Sequence, residues 1–242
     1  MPKEPLCIFR RIEKKYLLTQ AQKQALLRTV STYFTPDAYG KSTVESLYLD
    51  TPDYRLIRTS IDASGYKEKL RLRSYGIPKE NDKVFLELKK KYKGVVYKRR
   101  VAMTSAQACR YLNAGERPFD SQIMRELDYT MGFYGYPRPA AMISCEREAF
   151  FSKENDALRM TFDTGIRYRR TELSLSAGAA GKLLLPSDLT LMEIKTDGAM
   201  PLWLSHALDA ARIYPTSFSK YVTAYLDFSQ NTQILKGDPS HA

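Results

Sequence analysis

The 242-residue chain has few cysteines, few histidines and no long apolar run. Its three cysteines, Cys7, Cys109 and Cys145, lie far apart without paired spacing. This argues against a disulfide framework or a zinc cluster and suits a reducing compartment. No apolar stretch reaches the roughly 20 residues of a membrane-spanning helix, and the N-terminus lacks the apolar core of a signal peptide. We therefore expect a soluble, cytoplasmic protein.

Acidic residues are too few to balance the basic ones. The chain has 38 Lys and Arg against 27 Asp and Glu, a formal net charge of +11. Such an excess indicates an anionic partner: phosphate, nucleic acid or a membrane surface. The length suits one sizeable core, and no repeat or linker interrupts it. We predict a single domain over residues 1–242, with its core at about 8–229 and a C-terminal tail at 230–242.

The basic excess is concentrated in residues 65–100, which contain thirteen basic and four acidic residues. The charges alternate with Leu, Val, Phe and Tyr, an alternation that disordered segments lack. This pattern predicts three consecutive strands, at residues 64–74, 83–92 and 95–103. Further strands are predicted at 9–18, 42–50, 139–151, 158–164, 166–173 and 189–195. Helices are predicted at 19–34, 53–61, 104–113, 120–134, 201–212 and 217–228, the first with a Thr-x-x-Gln capping pattern. The fold class is therefore α+β.

Charged side chains share one face of most predicted strands, because residues two apart in a strand point the same way. Lys67, Lys69, Arg71 and Arg73 form one such row, and Leu70 and Leu72 lie on the opposite face. Similar rows are Arg11, Glu13 and Lys15; Glu87, Lys89 and Lys91; Lys98 and Arg100; Arg159, Thr161 and Asp163; and Glu193 and Lys195.

Two interpretations fit these rows. Ordinary amphipathic strands would turn their charges to water. The repetition over six strands instead favours an antiparallel barrel with a charged lumen and a jacket of helices over the apolar faces. Because buried unpaired cations are costly, such a lumen must hold water and a multiply charged anion. A linear polyphosphate or a nucleoside triphosphate meets this requirement.

Three glutamates lie on the cationic faces, each two residues before a lysine. They are Glu13, Glu87 and Glu193. Carboxylates beside phosphate often hold Mg²⁺ or Mn²⁺, which bridges phosphate oxygens. They could equally pair with the lysines and reduce repulsion within the lumen, so both roles remain open.

Nine short motifs, in order along the chain, resemble the VTC domain. This is the polyphosphate polymerase domain of the vacuolar transporter chaperone complex, within the CYTH-like superfamily of triphosphate tunnel metalloenzymes. The motifs are IEKKY at 12–16, SLYLD at 46–50, KLRLRSYG at 69–76, LELK at 86–89, YKRR at 97–100, EREAF at 146–150, LRMTFD at 158–163, MEIK at 192–195 and SFSKY at 217–221. Each is weak alone, whereas nine in order are a strong signal.

The resemblance implies an eight-stranded antiparallel β-barrel that forms a triphosphate tunnel. Together with the charge rows it predicts three groups of site residues. The catalytic group is Arg71, Arg73, Lys98, Arg147 and Lys220. The phosphate-binding group is Lys15, Lys69, Lys89, Arg100, Arg159 and Lys195. A divalent metal, Mn²⁺ or Mg²⁺, is expected at Glu193, with Glu13 and Glu87 as weaker matches.

The implied function is a metal-dependent polyphosphate polymerase, which transfers the γ-phosphoryl group of ATP to a growing polyphosphate. A tripolyphosphatase or nucleoside triphosphatase of the same fold is an alternative, as is a polyphosphate-binding module without activity. An RNA-binding barrel is disfavoured because no recognised RNA-binding motif is present. The 242 residues carry no counterpart of the SPX domain or membrane region of the eukaryotic complex. We therefore expect the stand-alone bacterial form, with a separate membrane partner as a possibility and no indication of the oligomeric state.

Overall fold

The computed structural model describes residues 12–62, 65–93 and 95–236. These residues form ten strands and six helices. In chain order they are β1 (Ile12–Thr19), α1 (Gln20–Val30), β2 (Phe34–Asp50), α2 (Arg55–Ile61), β3 (Tyr66–Tyr75), β4 (Lys83–Tyr92), β5 (Val95–Thr104), α3 (Ser105–Ala114), α4 (Gln122–Phe133), β6 (Arg138–Ser152), β7 (Arg159–Arg169), β8 (Lys182–Leu183), β9 (Leu189–Thr196), α5 (Leu202–Ala210), β10 (Pro215–Thr216) and α6 (Lys220–Lys236). The predicted strand residues 9–11, including Arg11, and residue 64 lie outside the described part, as do Cys7 and residues 237–242 of the predicted tail.

All ten strands join one antiparallel sheet in the order β10-β1-β9-β7-β6-β2-β3-β4-β5, with β8 on β7. Eight strands are long and two have only two residues, so the α+β class and the antiparallel sheet are confirmed. The prediction of a closed eight-stranded barrel is wrong. Within the described residues no pairing joins β1 to β5, and the sheet remains open. The free edge of β1 instead pairs with β10, through Lys15 with Thr216 and Tyr16 with Pro215.

The open sheet is nevertheless strongly curled. Lys89 on β4 reaches Glu13 on β1, with Nζ 3.3 Å from a carboxylate oxygen, so the two arms of the sheet come into contact through side chains. The space inside the curl is bordered by β1, β2, β3, β4, β6 and β9 and by the start of α6. We call this space the channel.

Helices cover the outward, apolar face of the sheet. Leu70, Leu86 and Leu88 are fully buried there, as the alternation predicted. They pack in one cluster with side chains of α3 and α4, while α1 and α5 pack over the region of β1, β7 and β9. Burying this face leaves the charged rows on the channel side. No helix in the described ranges is long and apolar enough to cross a membrane.

Two local predictions show how the sequence sets the elements. The capping box at Thr19 and Gln22 is confirmed, with each side chain meeting the other residue's backbone N–H. The helix ends at Val30, earlier than predicted, because Phe34 already begins β2. The two strands predicted at 158–164 and 166–173 are one strand, β7. Gly165 adopts a φ of 56°, where the pairing with β6 shifts by one residue, so the glycine forms a bulge rather than a break.

The first turn of α6 is anchored to the sheet by Asp50. Its carboxylate accepts the backbone N–H groups of Leu56 and Ile57, and it also accepts the hydroxyl of Tyr221. Asp50 therefore caps α2 and fixes α6 at the same time. This places Lys220, the first residue of α6, in the wall of the channel.

Candidate active site

The channel contains a cavity of about 120 Å³ with a strongly cationic wall. Eight basic side chains and two carboxylates line it, and all ten are residues predicted for the site. They are Lys15, Lys69, Arg71, Arg73, Lys89, Arg147, Lys195 and Lys220, with Glu13 and Glu193. The strand alternation thus turns the basic rows of several strands onto one space.

Four predicted site residues are not in the wall of this cavity. Glu87, Lys98 and Arg100 lie beside it on β4 and β5 and are linked to Arg71 through the Glu87 carboxylate. The fourth, Arg159, is solvent-exposed at the start of β7, and its guanidinium lies 4.4 Å from the ring centroid of Phe151. The structure therefore does not bring Arg159 to the channel.

Glu87 is the centre of a cluster of cations. Its side chain is 2 % exposed, with Lys98 at 2.7 Å, Arg71 at 2.8 Å, Arg100 at 3.3 Å and Arg73 at 3.9 Å. Burial raises the pKa of Glu87, but the neighbouring cations lower it by a larger amount, so the pKa lies well below its usual range. The surrounding cations leave Glu87 little access to a metal ion, which favours the pairing role over the metal role.

A second carboxylate, Asp163, holds two predicted catalytic cations. Arg147 donates from Nε and Nη2 to its two oxygens, both at 2.6 Å, and Lys220 donates to one of them at 2.5 Å. Asp163 is completely buried. Burial raises its pKa, and Lys220 and Arg147 lower it more, to about 2. The strand predicted at 158–164 placed Asp163 next to its end, whereas Asp163 lies in the middle of β7 opposite Arg147.

Glu13 and Glu193 lie on neighbouring strands with one lysine between them. Lys15 Nζ is 3.6 Å from Glu13 and 3.7 Å from Glu193, and Lys195 is 3.4 Å from Glu193. Burial raises the pKa of Glu193, but Lys220, Lys195 and Lys15 lower it well below its ordinary value. Glu193 is therefore ionised at neutral pH.

The metal prediction can be tested against these carboxylates. In the described ranges, no three His, Cys, Asp or Glu side chains converge as a ready-made metal cage. Mg²⁺ is commonly held by one or two carboxylates together with substrate phosphates. The ionised carboxylates Glu13 and Glu193, whose lysine partners lie at 3.3 Å or more, fit that kind of site. Glu87, which Lys98 and Arg71 contact at 2.7 and 2.8 Å, does not.

Comparisons with known proteins identify the family of this chain. The model of the VTC domain matches residues 10–228. The chain belongs to the VTC domain family. A comparison with curated proteins finds no match.

Solved structures share the fold of this VTC domain. A proposed adenylate cyclase from Bacillus halodurans superposes with a TM-score of 0.53 at 13% identity, over 88% of this chain and 96% of that one. A proposed adenylyl cyclase from Hippeastrum, described as having a dominant triphosphatase activity, has a TM-score of 0.51 at 17% identity, over 87% and 93% of the two chains. At these identities the likeness shows the fold alone.

Sequence reasoning missed Tyr48 as a wall residue of the VTC domain channel. Its hydroxyl accepts a hydrogen bond from Arg71 Nη1 at 3.2 Å, and its ring stacks on Tyr221 with centroids 4.5 Å apart. Burial raises the pKa of Tyr48, but Arg71, Lys69 and Arg73 lower it more, to about 8. The sequence did contain a signal, because Tyr48 is part of the SLYLD motif at 46–50 and lies two residues after Ser46, on the same strand face.

Anion binding by this channel should weaken as the pH rises from 7 to 9. Burial lowers the pKa of both Lys69 and Lys98 to about 8, so these cations lose charge in that range. Tyr48 simultaneously gains a negative charge. Calorimetric titration with tripolyphosphate should therefore show a falling affinity. A Lys69→Arg variant, whose guanidinium stays charged, should lose less affinity for tripolyphosphate over the same pH range. Equal losses in the two proteins would contradict this assignment.

Proposed function

We propose that this VTC domain is a metal-dependent polyphosphate polymerase, which transfers the γ-phosphoryl group of ATP to a growing polyphosphate inside the channel. The observation that carries the proposal is the length of the cationic row. The cavity wall continues through Lys15 and Lys89 into a larger opening of about 880 Å³, which is also lined by Lys14, Lys91 and Lys93. Such a row extends beyond the cations around a single triphosphate and suits a chain of phosphates.

The residues of the wall supply positioning and charge. Phosphoryl transfer needs no protein nucleophile when donor and acceptor oxygens are held in line and their charge is neutralised. Arg71, Arg73 and Arg147 present planar guanidinium groups that suit phosphate oxygens. Glu87 and Asp163 keep these groups oriented before any ligand arrives, since each accepts directly from an arginine. The lysines act as compact charges along the phosphate chain.

The metal completes the proposed site at Glu193 and Glu13. Glu193 and Glu13 would hold Mn²⁺ or Mg²⁺, whose charge would offset the negative charge that develops during transfer. Lys15 now lies between the two carboxylates and also donates to the Phe218 carbonyl at 2.9 Å. We expect the Lys15 ammonium to turn towards the phosphates when a metal occupies the carboxylate pair, because its positive charge would otherwise lie close to that of the metal ion.

The metal role predicts a specific effect of Glu193→Gln. The amide keeps the shape of the side chain but removes the charge, so the Mn²⁺ concentration for half-maximal ATP turnover should rise by at least about tenfold. Asp163 still neutralises Lys220 in this variant, so the folded structure should persist. An Mn²⁺ titration of turnover measures the shift, with Glu126→Gln on the outer surface as control. An unchanged titration would exclude Glu193 as a metal ligand.

The activity itself is tested by incubating the protein with ATP and Mn²⁺ and separating the products. A polymerase produces ADP and acid-labile phosphate chains. A hydrolase of the same fold, with water as acceptor at the same cations, releases ADP and phosphate without chains. Tight binding of polyphosphate without any ATP turnover would instead identify a binding module. The absence of chains under conditions of rapid ATP turnover would therefore contradict the polymerase proposal.

A further inference from the structure

The inward face of β3 extends away from the lysine-lined opening, where Lys67 lies opposite Lys91, towards the other end of the strand. The inward row of β3 runs from Lys69 through Arg71 and Arg73 to Tyr75. In the register with β4, Arg73 lies opposite Phe85. The last positions of the row are thus aromatic, and the Tyr75 side chain is exposed at 51%. This end follows directly after the arginines of the proposed triphosphate site.

The aromatic residues at this end form a fixed cluster with a cation. The rings of Tyr75 and Phe85 are 5.9 Å apart with an interplanar angle of 75°. The Arg100 guanidinium lies 3.5 Å from the centroid of Phe85 and 5.8 Å from that of Tyr75. Glu87 holds Arg100 in turn, at 3.3 Å. The result is a contact cluster of two rings and a planar cation, in which Tyr75 is exposed to solvent.

Such a platform suits a flat aromatic ligand that is attached to phosphates. Bases stack on aromatic side chains and on arginine, largely without regard to sequence. Tyr75 lies six positions beyond Lys69, a span of about 20 Å at the rise of a β-strand. That length accommodates a base and a ribose at the aromatic end, with an extended triphosphate along the basic row. The lysine-lined opening at the other end then remains available to the polyphosphate.

We propose that Tyr75, Phe85 and Arg100 form a stacking site for the base of a nucleoside triphosphate. The α-phosphate lies towards Arg73, and the β- and γ-phosphates lie along Arg71 and Lys69. This site gives the channel a direction, with the nucleoside at one end and the polymer at the other. The proposal rests on the proposed function, because it assumes that the triphosphate binds to the basic row.

The test compares the binding of two probes by calorimetry. One is the β,γ-imido analogue of ATP, which cannot be turned over, and the other is tripolyphosphate, which has no base. In Tyr75→Ala the affinity for the ATP analogue should fall about tenfold, the size expected for the loss of one stacking partner, while the affinity for tripolyphosphate stays within about twofold. Tyr75→Phe, which keeps the ring, should bind both probes like the wild type.

The matched control is Tyr92→Ala, which removes an exposed tyrosine from the strand β4 but from its outer face. It should change neither affinity. An equal loss for both probes in Tyr75→Ala, or no loss for the ATP analogue, would overturn the base site while leaving the triphosphate site in place. If the wild-type protein binds neither probe, the proposed function fails and the base site fails with it.

Discussion

Replacing Arg71 with alanine is expected to slow phosphoryl transfer from ATP by about 100- to 1000-fold, the range for removing one preorganised group that stabilises transition-state charge. Arg71 lines the cavity and is oriented by two partners, Glu87 through Nε at 2.8 Å and the Tyr48 hydroxyl at 3.2 Å. Its guanidinium is therefore already oriented, and little free energy is needed to organise it when the γ-phosphoryl group reacts.

The fold should survive this change. In Arg71→Ala the Glu87 carboxylate keeps Lys98 at 2.7 Å and Arg100 at 3.3 Å, so no unpaired charge is left buried. Steady-state turnover measures the effect, and circular dichroism with thermal unfolding checks the structure. Arg99→Ala is the matched control, because Arg99 lies on the outer face of β5, on the other side of β4 from β3, and pairs with Glu126. A well-folded Arg71→Ala protein with wild-type turnover would contradict the assigned role.

Replacing Asp163 with asparagine should lower the free energy of unfolding by about 3–5 kcal/mol, the typical cost of removing one partner of a buried ion pair. The change leaves the positive charges of Arg147 and Lys220 without their shared carboxylate. Urea unfolding at pH 7 measures the loss. The folded pKa of Asp163 is about 2, below its ordinary 3.8, so the pairing contributes fully above about pH 4 and is lost as the pH falls towards 2. The difference between the two proteins should shrink over that range.

The control for this prediction is Asp120→Asn, which breaks a surface pair with Arg125 of similar length, 2.5 Å. Exposed pairs contribute at most about 1 kcal/mol, so this variant should unfold close to wild type. A loss in Asp163→Asn no larger than in the control would mean that Arg147 and Lys220 are stabilised by other groups. Added tripolyphosphate should restore part of the stability, since it supplies negative charge to the same two cations.

For the six strands with charged rows, the sequence was sufficient to predict which face carries the charge. Alternation is a local property, so Lys69, Arg71 and Arg73 could be assigned to one side and Leu70 and Leu72 to the other without knowing the fold. The same applies to the capping box of α1, whose residues are three apart. Predicting which of these faces points inward required the helices as well. The apolar face of the sheet had to be covered, and only the predicted helices could cover it.

The features that escaped prediction depend on contacts between distant strands. Asp163 meets Arg147 only because the bulge at Gly165 shifts the β6–β7 register, and a single-residue shift changes every pair. Closure of the barrel depends on the far edges of the sheet, where β10 pairs with β1. Arg159 shows a further limit: alternation gives the face of a residue but not its depth along the strand, and Arg159 lies at an exposed end.

The most direct test of the account is a crystal structure with tripolyphosphate and Mn²⁺, collected at a wavelength at which manganese scatters anomalously. We expect a phosphate chain along Lys69, Arg71 and Arg147 inside the channel, with a manganese peak beside Glu193. Phosphate bound only on the outer surface, or an anomalous peak away from both Glu193 and Glu13, would contradict it.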